Sequence, residues 1–534
     1  MGLKPDTGIL FFLAFSTLMF LHILFTFCGF YGNDDINYSR YAARLISGEK
    51  MSGDISSHYS LRWTCIYATA FFYQIFGINE ITSALFSFFC LTGTAFLIKK
   101  LISSNREPVL LYAYILFFFS FTAVFYAHRL LPDTGICFFV FLAYYFYHKT
   151  RFKDSSGLWM AMGFSLSLFM AMLTKESIIV TLPLWLYFFI NDVYRRQRIS
   201  FWMYAAGISL ALLSSYLLYW KITTSDWLYR YHALLENHLS GGGITYQTAG
   251  MPALIKRLTY ELWEAFLLNG DFEYLIFGIG AFIYQKSVFE NKAQRHIAVS
   301  LIILLLCANF MTYSLNGYNP LLPDPRHYMY LLPFAAVSGG YMIKAYLKHP
   351  EKYTGLILMF VIADIFLIFS DIGFTKYVYL LITVILLLYR ITYHYKKISF
   401  SNPRLAVIAL ALIMGLNYIN DFIRPRYPYY FDQKKLVKDF VKENRKAIVF
   451  AADDMTAEIS EFMSGYKHPG IRFIAAGREI FPGFADADRY LLINGDYNHQ
   501  FNINTGKILS VFEAGDADMV KKENNVTLYK LNIP

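Results

Sequence analysis

Charged side chains are scarce in this chain. Asp, Glu, Lys and Arg make up 16% of its 534 residues, where an ordinary soluble domain has about 25%. That shortage excludes a soluble globular protein, because too little charge is present to keep a surface of this size in water. Cysteine is scarce too. The five are Cys28, Cys65, Cys90, Cys137 and Cys307. None falls in a Cys-x-x-Cys or Cys/His spacing that would hold a metal, and all lie in or beside apolar runs, where they read as small buried hydrophobes. No Gly-rich phosphate loop of the GxGxxG or Walker type occurs, which argues against a nucleotide-driven pump. Internal repeats and low-complexity runs are also missing.

What is present is apolar and aromatic. Hydrophobic residues are 56% and aromatics 19% of the chain, and the mean hydropathy is +0.38. These values define an integral membrane protein, with Tyr and Phe supplying the interfacial belts. The net charge of +10 does not point to nucleic acid, because the excess is dispersed through short loops between apolar runs. Positive-inside bias and attraction to anionic lipid account for it.

Thirteen apolar runs are long enough to read as spans: 8–30, 81–98, 108–127, 134–148, 157–173, 177–191, 200–220, 273–285, 296–314, 328–346, 354–371, 375–392 and 404–420. The first is too long for a signal-peptide core and lacks a small-residue cleavage site, so it is expected to be retained. Every second loop is basic: Lys99-Lys100 to Arg106, Lys149 to Lys153, Arg195 to Arg198, Lys286 to Arg295, Lys344 to Lys352 and Arg390 to Arg404. The positive-inside rule makes that side cytoplasmic. The expected protein is therefore multi-pass, its N-terminus inside and its C-terminus outside; with no obvious eukaryotic tail or insertion, a bacterial inner (plasma) membrane is the expected location.

The outer loops differ in kind. In 31–80, apolar residues recur at helical spacing around Tyr38, Tyr41, Ala42 and Leu45, and again around Trp63, Ile66, Tyr67, Ala70 and Phe71. Two interfacial amphipathic helices are expected there. A second long loop, 221–272, carries the joint Gly241-Gly242-Gly243 and a further amphipathic stretch, 254–266. Residues 1–420 would then form a membrane unit. Residues 421–534 would form a small extracytoplasmic α/β unit behind the linker Arg424-Pro425-Arg426-Tyr427-Pro428. Strands are predicted at 447–451, 471–475, 490–494 and 526–531, and helices at 434–441 and 456–463.

Four charged clusters fall on the non-basic loops. Asp34-Asp35 opens the first amphipathic helix. Acidic residues there suit a helix N-terminus, but a carboxylate at the membrane surface can also take a proton from an acceptor hydroxyl, and two together can hold a divalent ion. His128-Arg129 to Asp133 closes one span and opens the next, where charge is expensive and usually functional. Thr174-Lys175-Glu176 sits between two spans with almost no loop. Lys175 can snorkel, pair with Glu176, or bind a phosphate as a point charge. Asp324-Pro325-Arg326-His327 precedes a late span; its prolines stiffen the approach, and Arg326 suits bidentate phosphate recognition or interfacial anchoring. Cations and carboxylates on one membrane face suggest a substrate bearing phosphate and hydroxyl groups. His58 and Arg62, also on the first outer loop, are further candidates without a diagnostic spacing.

These residues resemble the GT-C glycosyltransferases, in particular the branch of protein O-mannosyltransferases and lipid A aminoarabinose transferases. The likeness rests on Asp34-Asp35 with Tyr38 and Ala42, the Arg129 to Pro132-Asp133 hairpin, Thr174-Lys175-Glu176, and Pro325-Arg326-His327-Tyr328. It implies a polytopic α-helical membrane fold and inverting transfer of a sugar from a polyprenyl-phosphate carrier, such as undecaprenyl phosphate, to an extracytoplasmic acceptor. By the same carry-over Asp34 is the base and Asp133 a second acidic residue, with Asp35 beside them. Arg129, Lys175 and Arg326 hold the lipid phosphate; Glu176, His327, Arg62 and His58 are further candidates outside that carry-over. The chain departs from the pattern in having Asp-Asp for Asp-Glu, His58 to Arg62 in place of a Lys-Pro-Pro-like turn, and Glu176 where Gly is common. No cofactor is required, and Asp34 with Asp35 leaves a divalent metal open. The expected partners are the lipid-linked donor, the acceptor and the bilayer, without nucleic acid, for a monomer or a dimer. The rival classes are a transporter or lipid flippase, which would place charge at mid-membrane in paired repeats, and a non-catalytic scaffold.

Overall fold

The computed structural model describes residues 6–27, 29–30, 33–48, 58–102, 107–153, 157–240, 246, 249–270, 272–312, 318–370, 374–395, 402–423, 428–466, 470–475, 487–496 and 517–531. The triple glycine and residues 424–427 of the linker lie outside this set. The described chain is mostly helical, with one small sheet near its C-terminus.

Eight helices are long and apolar enough to cross a membrane: Thr7–Thr26, Glu80–Leu101, Gly157–Thr174, Glu176–Tyr194, Ile199–Thr224, Lys292–Phe310, Thr375–Tyr395 and Pro403–Ile423. The other five expected spans also fall on helices, but these are shorter or more polar, so a count of thirteen is not established by length and composition. Pro108–Phe118, Phe272–Ile283 and Thr354–Ile368 are apolar and short. Pro132–Lys153 has the length but carries His148, Lys149, Arg151 and Lys153.

Three expected spans are broken, each for a local reason. The run 108–127 divides into Glu107–Phe118 and Phe121–Tyr126. Ser120 restarts the helix by accepting the Ala123 amide at 3.2 Å. The run 177–191 enters as a 3₁₀ turn, Glu176–Thr181, before the helix Leu182–Tyr194. Pro183 at its first turn cannot continue a helix from upstream. The late span does the same, with a 3₁₀ turn Pro325–Leu331 and Pro333 opening Leu332–Lys348. Both turns deliver a charged cluster to a helix entrance.

The helices Phe272–Ile283, Leu332–Lys348 and Glu107–Phe118 pack at close range through small residues, as membrane helices do when lipid supplies no hydrophobic drive between them. A Cβ on Gly340 would lie 2.8 Å from the Val109 carbonyl oxygen and 3.0 Å from the Ala113 amide nitrogen. The two helices expected in the first outer loop are present at Asn33–Ile46, which is amphipathic, and Trp63–Phe76, which is largely apolar. The stretch 254–266 becomes Met251–Lys256, a π-helical turn Arg257–Glu261, and Leu262–Asn269.

The sheet has five strands: β1 (Ala447–Ala451), β2 (Ile471–Ala475), β3 (Asp488–Asn494), β4 (Ala517–Glu523) and β5 (Val526–Leu531). Their order is β2-β1-β3-β5-β4, parallel from β2 to β3 and antiparallel beyond. Strand β4 is not foreseen by the sequence. It is an edge strand reading Ala-Asp-Met-Val-Lys-Lys-Glu, and such charges protect an open edge while hiding the strand pattern. Helices Pro428–Glu443 and Asp454–Met463 connect this unit to the membrane helices. Arg40 pairs with Glu458 at 2.7 Å, Phe30 packs edge-on against Phe462, and Lys434 and Tyr430 both donate to Glu80. The sheet unit is thus docked on the interfacial helix that begins at Asn33.

Gly340→Ala should lower stability by about 1–3 kcal/mol, because the new methyl meets backbone atoms that cannot turn aside. A shift in the unfolding midpoint of the detergent-solubilised protein measures it. An unchanged midpoint would mean that these helices do not pack this closely.

Candidate functional site

The charged clusters separated in sequence meet in three linked groups of ion pairs. In the first, the Arg326 Nη1 donates to Asp34 Oδ2 at 3.1 Å, and its Nε lies 3.1 Å from Asp324. Tyr59 donates to the other Asp34 oxygen at 3.0 Å. Asp324 caps the 3₁₀ turn by accepting the Arg326 amide at 3.1 Å, which fixes the base of the Arg326 side chain.

In the second group, the Lys175 ammonium donates to Asp133 Oδ1 at 2.6 Å and to His327 Nδ1 at 2.9 Å. The same nitrogen lies 3.3 Å from Asp133 Oδ1, so ammonium, carboxylate and imidazole meet at one point. Burial and the Lys175 charge hold the His327 pKa below the ordinary imidazole value. In the third group, Arg62 donates to the Tyr38 hydroxyl and to Glu176 Oε1, the latter at 3.2 Å. Glu176 also lies 3.6 Å from Arg230.

Electrostatics join the groups. Burial works to raise the Asp34 pKa, but the Arg326 and Arg62 charges and the Tyr59 hydrogen bond outweigh it, and the carboxyl sits below its usual range. The cations Arg62, Lys175, Arg230 and Arg326 match the carboxylates Asp34, Asp133, Glu176 and Asp324 in number. Access differs between the carboxylates. The Asp34 side chain is 30% exposed and that of Asp133 only 4%. Asp34 is therefore the carboxylate of the two that an incoming molecule can reach.

Asp34, Asp133, Lys175, Arg326, Glu176, His327 and Arg62 are all brought together. Arg129, Asp35 and His58 are placed differently. Arg129 is buried, donates to the Gly29 carbonyl at 3.0 Å and lies over the Phe125 ring. Asp35 is buried, and its Oδ1 accepts the Ile36 amide. The His58 ring lies against Tyr59, with centroids 4.0 Å apart. Among the described residues, no third ligating side chain converges on Asp34 and Asp35 to make a metal cluster.

Three residues of this region carry no sequence signal. Tyr59 and Arg230 lie in loops without a diagnostic spacing. Arg257, in the π-helical turn, is fully buried and donates to Asn309, to the carbonyls of Ala308 and Leu321, and to the Tyr328 hydroxyl. It braces the segment that presents Arg326 and His327. A π-helical turn often marks such positions, but sequence does not reveal one.

Lys175→Met should cost about 3–5 kcal/mol of stability, because it leaves the Asp133 carboxylate buried without its ammonium. The double variant Asp133→Leu/Lys175→Met should recover much of that loss. Denaturation of the three proteins decides the matter, and a double variant no better than the single one would contradict the pairing.

No family model matches the chain, and no curated protein is significantly similar to it. Solved structures do match. The structure of ArnT from Cupriavidus metallidurans bound to undecaprenyl phosphate superposes with a TM-score of 0.63 at 10% identity, covering 99% of this chain and 98% of that one. The same protein in the apo state gives a TM-score of 0.59 at 11% identity, with the same coverage. The chain therefore has, over nearly its whole length, the fold of ArnT.

Proposed function

We propose that this protein is an inverting glycosyltransferase of the bacterial inner membrane. It moves a sugar from a polyprenyl-phosphate carrier to a hydroxyl of an extracytoplasmic glycolipid, protein or polysaccharide. The observation that carries the reading is the Asp34–Arg326 pair, a reachable carboxylate held against a guanidinium. Residues 1–420 are the catalytic membrane unit, and 421–534 an outer unit that buttresses the Asp34 helix. The fold shared with a protein whose structure holds undecaprenyl phosphate supports a lipid-phosphate donor.

Asp34 takes the proton of the acceptor hydroxyl as its oxygen attacks the anomeric carbon. The bond from that carbon to the phosphate oxygen breaks, and the lipid phosphate leaves with the electron pair. Arg326 and Lys175 stabilise the charge that develops on it. Asp133 and His327 hold the Lys175 ammonium in place. Arg326 serves in two states. In the free protein it faces Asp34. When the donor phosphate takes over the guanidinium, Asp34 loses its strongest cationic partner and its basicity rises when the acceptor needs it.

Asp34→Asn should reduce transfer from radiolabelled polyprenyl-phosphate sugars by roughly a hundred- to ten-thousand-fold; near-normal turnover by a folded variant would remove the base assignment. Arg326→Ala should raise the donor KM by roughly ten- to a hundred-fold, as expected for a lost charged hydrogen bond, and an unchanged donor affinity would contradict its role. The pH profile tests the exchange of partners. Asp34 must be ionised, so activity falls as pH drops through its pKa. That acid limb should lie at higher pH in kcat, which reports the donor complex, than in kcat/KM, which reports the free protein. Coincident limbs would refute the exchange.

A further inference from the structure

His22, His128 and Asp421 come together from the first helix, the turn before Pro132–Lys153, and the last long apolar helix Pro403–Ile423. Their ligand atoms all lie within 4.8 Å of one another. His22 Nε2 is 3.0 Å and His128 Nε2 3.2 Å from the same oxygen, Asp421 Oδ2. The three side chains are at most 5% exposed.

Hydrogen bonding explains only part of this arrangement: His128 Nε2 is hydrogen-bonded to Asp421 Oδ2 at 3.2 Å. Although close, His22 Nε2 is not aligned for a hydrogen bond and is left without one. Among the described residues, Asp421 has no Lys or Arg as an ion-pair partner, only the two imidazoles. A buried carboxylate at the end of an apolar helix is costly in that state. Each imidazole has a ring nitrogen whose lone pair a metal ion can take, and a divalent cation would bring the positive charge that Asp421 does not get from a Lys or Arg. The rings of Phe27, Phe125 and Tyr418 surround the cluster, an apolar shell that keeps competing water out.

We propose that His22, His128 and Asp421 bind a single divalent transition-metal ion of the Zn²⁺ class. Two imidazole nitrogens and a carboxylate oxygen are a ligand set that Zn²⁺ takes readily, with water in the fourth position of a tetrahedron. The ion would fasten the first and last long apolar helices to the turn carrying Arg129. It would act as a staple, separate from the Asp34–Arg326 network.

The test uses the full chain in detergent without a polyhistidine tag, stripped with a chelator, reloaded with Zn²⁺ and desalted. Elemental analysis should find one zinc per chain, and X-ray absorption at the zinc edge should show two imidazoles among the ligands. His22→Ala and Asp421→Asn should each lose the ion. Failure of the wild-type protein to retain zinc, an absorption spectrum without imidazole, or full zinc content in both variants would each overturn the proposal. The spectrum of the wild-type protein decides even where a variant fails to fold, and none of these readouts depends on transfer activity.

Discussion

Charge at the edge of an apolar layer must find opposite charge, and the polar architecture of this protein follows from that constraint. Breaking a buried pair leaves a lone charge whose cost is several times that of the pair itself. Lys175 finds Asp133, Arg62 finds Glu176, and Arg326 finds Asp34. Each pair joins segments far apart in sequence, so satisfying one pair pulls the segments of the others into range. The same rule operates at the basic loops, where the buried Asp192 collects Arg151 and Arg198 together with the Tyr147 hydroxyl and the Trp202 indole.

Such a network is stable but also exchangeable. Its cations and carboxylates are balanced, and an arriving phosphate can replace a carboxylate without leaving any cation exposed to hydrocarbon. That makes the resting ion pairs part of the chemistry proposed for the site. Rigidity comes from elsewhere. Two 3₁₀ turns, each followed by a proline in the first turn of the next helix, fix where Lys175 and Arg326 emerge, Arg257 braces the second of these, and the sheet unit presses on the helix that carries Asp34.

Much of this was legible in the sequence. Each expected span overlaps a helix, three of them in broken form, because a long apolar run has few alternatives in a membrane. Strands β1, β2 and β5 occupy the expected residues, because short β-branched and aromatic runs bounded by polar residues are a local signal. The clusters at Asp34, Asp133, Lys175 and Arg326 stood out because charge beside apolar runs is rare. Strand β4 and the breaks at Ser120, Pro183 and Pro333 were not foreseen. A charged edge strand lacks the alternating pattern, and hydropathy averaged over a span hides a single cap or proline.

By itself, then, the sequence determined the class of protein, the placement of its helices and the residues expensive enough to be functional. All of these depend on composition and periodicity over a few turns of chain. Only the tertiary structure decided which charges meet. It sent Arg129 to the Gly29 carbonyl instead of the ion-pair network, brought in Arg230 and Tyr59, and gathered His22, His128 and Asp421 from opposite ends of the chain. A partner some 300 residues away in sequence leaves no trace in the local pattern, because the energy of an ion pair depends on distance in space and on the solvent excluded around it.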